Sequence, residues 1–253
     1  MFQENLGKDS VMKNILNLQS IEEQIVNFGQ SGPFDHVVIE NFFNEDFAKY
    51  LAEDFPDFDS DIWHHYSNAI EIKKACNNWN VFTERTYQTF ACLNSEEFVS
   101  YLSDRLFFGN KLFSDAGLNG GGLHIHKQGG KLNTHLDYSM HPKLKLQRKF
   151  NIIVYMNPNW LPSWGGALGF WGNSSSSKPG SLEKSVECLF NRAVIFDTTQ
   201  NSWHGLPEPV VCPETEARKS IAVYYLCEPS DNVDMRGKAL FAPTKEQEND
   251  QDV

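Results

Sequence analysis

Thr134-His135-Leu136-Asp137 sets an imidazole and a carboxylate two positions apart. In an extended strand residues i and i+2 project from the same face, so both side chains can turn toward one ion. A His-x-Asp pair is common by chance and needs a third donor, and Trp203-His204-Gly205, downstream of the apolar run 193–196, supplies a candidate. Two imidazoles and one carboxylate on one side of an octahedral ion leave its other positions open, the arrangement of non-haem ferrous sites. Zinc usually takes a closed tetrahedron or a third nitrogen or sulfur, so iron is the favoured metal. Fourteen positions after His204, Arg218 opens the run 218–225 (RKSIAVYY). Alternation sends Arg218, Ser220, Ala222 and Tyr224 to one face and Lys219, Ile221 and Val223 to the other. A guanidinium on the inner face of an apolar barrel is costly to leave unpaired. It implies either a dicarboxylate ligand, which its planar fork suits, or a salt bridge to a protein Asp or Glu.

These side chains need a scaffold of short strands, and after Gly120-Gly121-Gly122 the sequence takes on that texture, apolar segments separated by Gly, Pro, Asn and Ser. Strands are predicted near 123–127, 133–138, 149–157, 166–171, 183–188, 192–197, 202–205 and 217–226, which suits a jelly roll. The first third is mixed. Apolar residues at helical spacing run from Val11 to Phe28, residues 36–43 (HVVIENFF) read as a strand, and Asn44 is placed to cap a helix over 45–55. A further helix is predicted over 95–107, with Glu96 and Glu97 in its first turn. Ser174 to Ser177 with Lys178-Pro179-Gly180 read as a mobile polar connection, and the tail from Lys245 as disordered. The fold class expected is mainly β with flanking helices (α+β) around a double-stranded β-helix (jelly roll) core. Within one integrated catalytic domain, a mixed region spans 1–120, the catalytic core 121–230 and a C-terminal tail 231–253.

The chain has 253 residues, 33 acidic and 22 basic, for a formal net charge of −11. A surface of that sign repels phosphate backbones, so no nucleic-acid partner is expected. No stretch is apolar enough to cross a bilayer, so no membrane partner is expected. The opening residues lack a basic-then-apolar leader pattern, giving a cytoplasmic expectation. The five cysteines are odd in number and widely spaced, without a Cys-x-x-Cys knuckle, and read as buried, idle thiols.

The stretch 126–137 (HKQGGKLNTHLD) and the run 150–171 (FNIIVYMNPNWLPSWGGALGFW) resemble the iron(II)- and 2-oxoglutarate-dependent oxygenases, in particular their prolyl-hydroxylase-like branch. The first resembles that branch's strand, double-glycine turn and His-x-Asp. The second is similar to its tyrosine-bearing strand, Asn-x-x-Trp turn and Gly-Gly hairpin. The resemblance covers roughly residues 34–228. It implies that His135, Asp137 and His204 ligate Fe(II) and that Arg218, supported by Ser220, pairs with the C5 carboxylate of 2-oxoglutarate. It also implies that Tyr155 hydrogen-bonds that carboxylate while Ile153 packs on the cosubstrate chain. His126 stands where many prolyl hydroxylases have a tyrosine near cosubstrate and substrate. The interval from His204 to Arg218, with Pro207, Pro209 and Pro213, is longer than in many relatives and reshapes the pocket mouth rather than the metal geometry.

The implied activity is dioxygenase hydroxylation of an unactivated C–H bond, with O2 as cosubstrate, succinate and CO2 as products and ascorbate as a supporting reductant. Peptidyl proline leads as substrate, with a free amino acid, sugar or other small molecule as the alternative, since fold does not choose among them. A cupin-like metal-binding module without turnover is the alternative from another class. The basic group Lys143, Lys145, Arg148 and Lys149 reads either as a receiver for an anionic substrate or as a solvated loop. Trp63, His64 and His65 receive no assigned role.

Overall fold

The structure is a computed structural model that describes residues 11–175 and 178–247. Period-two burial builds the frame. In the strand Arg218–Cys227, Ile221, Val223 and Tyr225 enter one hydrophobic core, while Ser220, Ala222 and Tyr224 face a cavity on the other side. Such a strand is covered on both faces, which accounts for its burial along nearly its whole length.

Among the described residues the strands form two antiparallel sheets. The large sheet runs in the order His36–Ile39, Ala193–Asp197, Gln147–Tyr155, Arg218–Cys227, Gly122–His126, Glu71–Cys76, His64–Ser67. Two short strands, Phe113–Ser114 and Lys131–Leu132, pair at its flank. The small sheet runs Lys178–Val186, Leu168–Ser175, His204–Gly205, His135–Leu136, Leu240–Phe241. The sheets enclose the cavity, and an aromatic cluster that includes Phe34, Phe170 and Phe196 packs among their strands. Full burial of each such ring contributes about 1.5–3 kcal/mol.

Helices Glu84–Leu93 and Glu96–Leu106 supply Phe90, Leu93, Phe98 and Leu102 to the core beneath the large sheet. Each has a working cap: Thr83 accepts from the Thr86 amide and Ser95 from the Phe98 amide, both at 3.2 Å. Among the described residues no helix is long and apolar enough to cross a membrane.

The jelly-roll architecture agrees with expectation, and several details differ. Asn44 occupies the cap position of helix Glu45–Glu53, yet its side chain makes no cap bond and donates to the Lys13 carbonyl instead. The strand expected over 133–138 shrinks to His135–Leu136, and Lys131–Leu132 just before it pairs with Glu71–Cys76 in the other sheet. The polar hairpin His64–Ser67 and Glu71–Cys76 was not expected at all, since HHYS and EIKKAC lack apolar alternation. The serine connection is mostly strand, Leu168–Ser175 and Lys178–Val186, with Ser176 and Ser177 outside the described residues. The C-terminal stretch adds the last strand of the small sheet, and Gln247 is tied by its side chain to Asn133 and Ala69; residues 248–253 lie outside the described residues. The helical pattern expected from Val11 appears as Val11–Ile15 and Leu18–Ile25, and residues 1–10 lie outside the described residues.

Candidate active site

His135 and His204 are direct cross-strand partners at the centre of the small sheet, with ring centroids 4.3 Å apart. The strands approach this closely because of Gly205, where a Cβ would lie 2.8–3.0 Å from the backbone of Leu132 and Asn133. Asp137 follows two residues after His135, and one ligand atom from each of the three side chains falls within 4.8 Å of the others. All three are buried. The distances from Asp137 are 3.8 Å from Oδ1 to His135 Nε2 and 3.8 Å from Oδ2 to His204 Nε2.

The hydrogen bonds fix which nitrogen is available. His135 Nδ1 lies 2.9 Å from the Asn133 carbonyl and His204 Nδ1 lies 2.8 Å from the Ser202 carbonyl. A carbonyl only accepts, so each Nδ1 carries the proton and each Nε2 lone pair points to the shared space. Burial, reinforced by His204, lowers the His135 imidazole to about 3, leaving it neutral as a ligand must be. For Asp137 burial opposes ionisation, but His204, Arg148, His135 and the Tyr224 hydrogen bond outweigh it and hold the carboxyl below its ordinary value. Its Oδ2 is buried with no hydrogen-bond partner. Two Nε2 atoms, one carboxylate and its unsatisfied oxygen fit a divalent metal with open positions.

Across the cavity, the large sheet presents an anion site. Arg218 is 3% exposed; its Nε donates to the Gly166 carbonyl at 2.6 Å and Nη1 to Ser220 Oγ at 3.3 Å. Among the described residues no Asp or Glu oxygen comes within 4.0 Å of it, so the protein salt bridge open from sequence is not made. Gly166 permits this placement: its φ is +77° and a Cβ there would lie 2.7 Å from Arg218 Cδ. Tyr155 pairs with Ser220 in register, and its ring centroid lies 5.0 Å from the guanidinium. Its hydroxyl is buried without a partner, and burial raises its pKa, so it remains a donor. Ile153 lines the cavity on the same face. His126 stands opposite Arg218 in register, 2% exposed, with neither ring nitrogen hydrogen-bonded. Burial and the Arg218 charge keep it neutral.

The cavity holding both halves measures about 420 Å³, and His64, Tyr66 and Lys73 of the polar hairpin also line it. Of the eight residues singled out from sequence, seven line this cavity, His135, Asp137 and His204 from the small-sheet side and Arg218, Ser220, Ile153 and His126 from the large sheet, while Tyr155 sits in the adjoining core beside Arg218. The basic group divides. Lys143 and Lys145 are exposed, Lys149 pairs with Asp197 at 2.5 Å, and Arg148 is 2% exposed inside the barrel, 3.5 Å from Asp137 Oδ1. Arg148 thus belongs neither to a solvated loop nor to an outer receiving patch. Sequence reasoning also missed His124, which lines the cavity, and Phe241, which stacks on His135 at 4.9 Å. Trp63 is core. All five cysteines are free and buried, as expected.

Residues 121–226 match the 2OG-Fe(II) oxygenase superfamily. A stretch of 78 residues is 31% identical to prolyl 3-hydroxylase OGFOD1 of Xenopus laevis, covering 31% of this chain and 15% of that protein. The fold is similar to a Pseudomonas putida prolyl-4-hydroxylase, with a TM-score of 0.57 at 15% identity over 87% of this chain and all of that one. It is also similar to a Trichoplax adhaerens prolyl hydroxylase in complex with a hypoxia inducible factor peptide fragment, with a TM-score of 0.60 at 16% identity over 88% and 94%. At such identities the likeness to solved structures is one of fold. The segment that matches the superfamily model contains His135, Asp137, His204 and Arg218.

Proposed function

We propose that this protein is an iron(II)- and 2-oxoglutarate-dependent dioxygenase that hydroxylates an unactivated C–H bond of a peptidyl proline, releasing succinate and CO2. The observation that carries the proposal is the buried guanidinium of Arg218, which has no anion among the described residues and shares one cavity with a two-histidine, one-carboxylate cluster. A passive metal-binding module has no use for such a cation, whereas a keto-diacid that chelates the metal at one end needs an anchor at the other.

His135, Asp137 and His204 would hold the metal, which when bound supplies the oxygen-activating redox chemistry. Arg218 takes the far carboxylate through its free N–H groups, with Ser220 orienting the guanidinium and the Tyr155 hydroxyl as a further donor. Ile153 packs against the cosubstrate chain, and His126, neutral and unpartnered beside Arg218, offers a hydrogen bond at the same end. The enclosing sheets fix these groups and limit water. The proline assignment is supported by the 31% identity to a protein named as a prolyl 3-hydroxylase and by the fold shared with a peptide-bound prolyl hydroxylase. The alternative, a free amino acid or sugar substrate, is an outcome of the same test.

That test is a succinate-release screen with ferrous iron, ascorbate, 2-oxoglutarate and O2 over proline-containing peptides, free amino acids and sugars. A peptide that accelerates release and gains the mass of one oxygen on proline supports the assignment. Stimulation confined to small molecules replaces proline, and no succinate under any condition removes the dioxygenase reading.

A further inference from the structure

Asp137 is held unevenly. Its Oδ1 accepts a hydrogen bond from the Tyr224 hydroxyl at 3.0 Å and lies 3.5 Å from the Arg148 guanidinium, whereas its Oδ2 has no hydrogen-bond partner. Arg148 is itself stacked between two tyrosine rings and tied at Nη2. Its guanidinium carbon sits 3.4 Å from the Tyr138 ring centroid and 3.5 Å from that of Tyr224, and Nη2 donates to the Asn119 carbonyl. Gly120 makes room for it, since a Cβ there would lie 2.6 Å from Nη2. The Tyr138 hydroxyl donates to that same Asn119 carbonyl, and Arg236 donates twice to the Asp137 backbone oxygen.

We propose that Tyr224 and Arg148 are positioning residues that occupy Oδ1 of Asp137 and so confine the carboxylate to single-oxygen ligation through Oδ2. The inference rests on reading the cluster as a metal centre. A carboxylate with both oxygens free can ligate through either or both, and two-oxygen ligation would consume a coordination position. Two side chains holding one oxygen leave a single lone-pair direction for the ion and keep three positions of an octahedron open. Tyr224 serves as the donor because a carboxylate oxygen only accepts and the hydroxyl lies 3.0 Å from Oδ1. Tyr224 and Arg218 lie on one face of the same strand, so the residues that set the ligand oxygen and anchor the anion move as one rigid element.

The test is titration of metal-free protein with Co(II), read by its visible ligand-field absorption, in wild type, Tyr224→Phe and Tyr225→Phe. Tyr225 is the control: its hydroxyl donates to the Leu93 carbonyl at 2.7 Å in the core, so that variant loses a buried hydrogen bond remote from Asp137. Tyr225→Phe is expected to keep wild-type Co(II) affinity and spectrum while melting lower. Tyr224→Phe is expected to weaken Co(II) binding by about tenfold or more, and to change band shape and intensity as Oδ1 joins the coordination. If Tyr224→Phe does not fold, Arg148→Lys, which keeps the charge and loses the planar fork between the rings, is expected to show the spectral change. Wild-type affinity and spectrum in Tyr224→Phe overturn the clamp and leave the metal centre standing. Failure of wild type to bind Co(II) at all overturns both.

Discussion

Replacing Arg218 with Met separates cosubstrate binding from stability. In the protein Nε and one N–H of Nη1 are engaged by Gly166 and Ser220, and among the described residues no carboxylate pairs with the guanidinium. Two charge-assisted hydrogen bonds to a ligand carboxylate, at roughly 1.5–3 kcal/mol each, correspond to about 10²- to 10⁴-fold in 2-oxoglutarate affinity at ~1.4 kcal/mol per decade. The ligand-free protein meanwhile carries a buried cation without an anion. Exchanging buried ionic groups for apolar ones of similar volume is neutral or stabilising by about 1–4 kcal/mol, and the two internal hydrogen bonds return about 1 kcal/mol each. The net falls between a loss and a gain of about 2 kcal/mol, which at about 2–4 °C per kcal/mol for a domain of this size keeps the ligand-free melting point within about 8 °C of wild type. Thermal melts of Mn(II)-loaded protein with and without 2-oxoglutarate read both effects. At about 100 times Kd the cosubstrate adds ~2.7 kcal/mol to wild type, about 5–10 °C, and adds nothing to Arg218→Met. A variant that melts well below wild type and still responds to 2-oxoglutarate shows that Arg218 is a structural residue, and the anion-site reasoning fails.

Gly166→Ala introduces a Cβ 2.7 Å from Arg218 Cδ at a left-handed φ. It should cost about 1–3 kcal/mol of stability and weaken 2-oxoglutarate binding by calorimetry while Mn(II) affinity is kept; unchanged cosubstrate affinity contradicts this. His124 and His126 line the cavity and are held neutral chiefly by burial, His124 at about 3 and His126 well below its ordinary value. Unfolded imidazoles titrate near about 6.5. The unfolded chain therefore binds more protons below that pH, and their stabilising contribution, full above about 6.5, declines steadily toward about pH 3. Melting temperature should fall between pH 7.5 and 5, and a flat profile there is the contrary result. All five thiols are buried, with burial pushing Cys92 up to about 12 and Cys227 up to about 11. A thiol reagent at pH 8 should label the protein only on unfolding, and fast stoichiometric labelling of native protein goes against that.

The site was legible where its chemistry is written in short contiguous motifs. His135 and Asp137 lie two apart, and alternation along 218–225 put Arg218 and Ser220 on the face where they stand. What escaped notice depends on long-range packing. Arg148 sits in HPKLKLQRK, whose composition reads as a solvated loop, yet the strand Gln147–Tyr155 starts two residues earlier than expected and carries it into the barrel. Alternation placed Tyr224 inward without disclosing that Asp137, 87 residues away in sequence, receives its hydroxyl. The hairpin at 64–76 holds its place by pairing Cys76 with Leu123 and Lys74 with Ile125, not by apolar periodicity. The C-terminal stretch is tied down by Phe241 on His135 and Gln247 on Asn133, contacts that composition does not announce.

The most direct measurement is a crystal structure grown anaerobically with Mn(II), which does not turn over, and N-oxalylglycine, a mimic of 2-oxoglutarate. One ion bound by His135 Nε2, Asp137 Oδ2 and His204 Nε2, with the far carboxylate of the mimic on Arg218, is the predicted result. An ion seated elsewhere, or a mimic whose carboxylate leaves Arg218 bare, contradicts it.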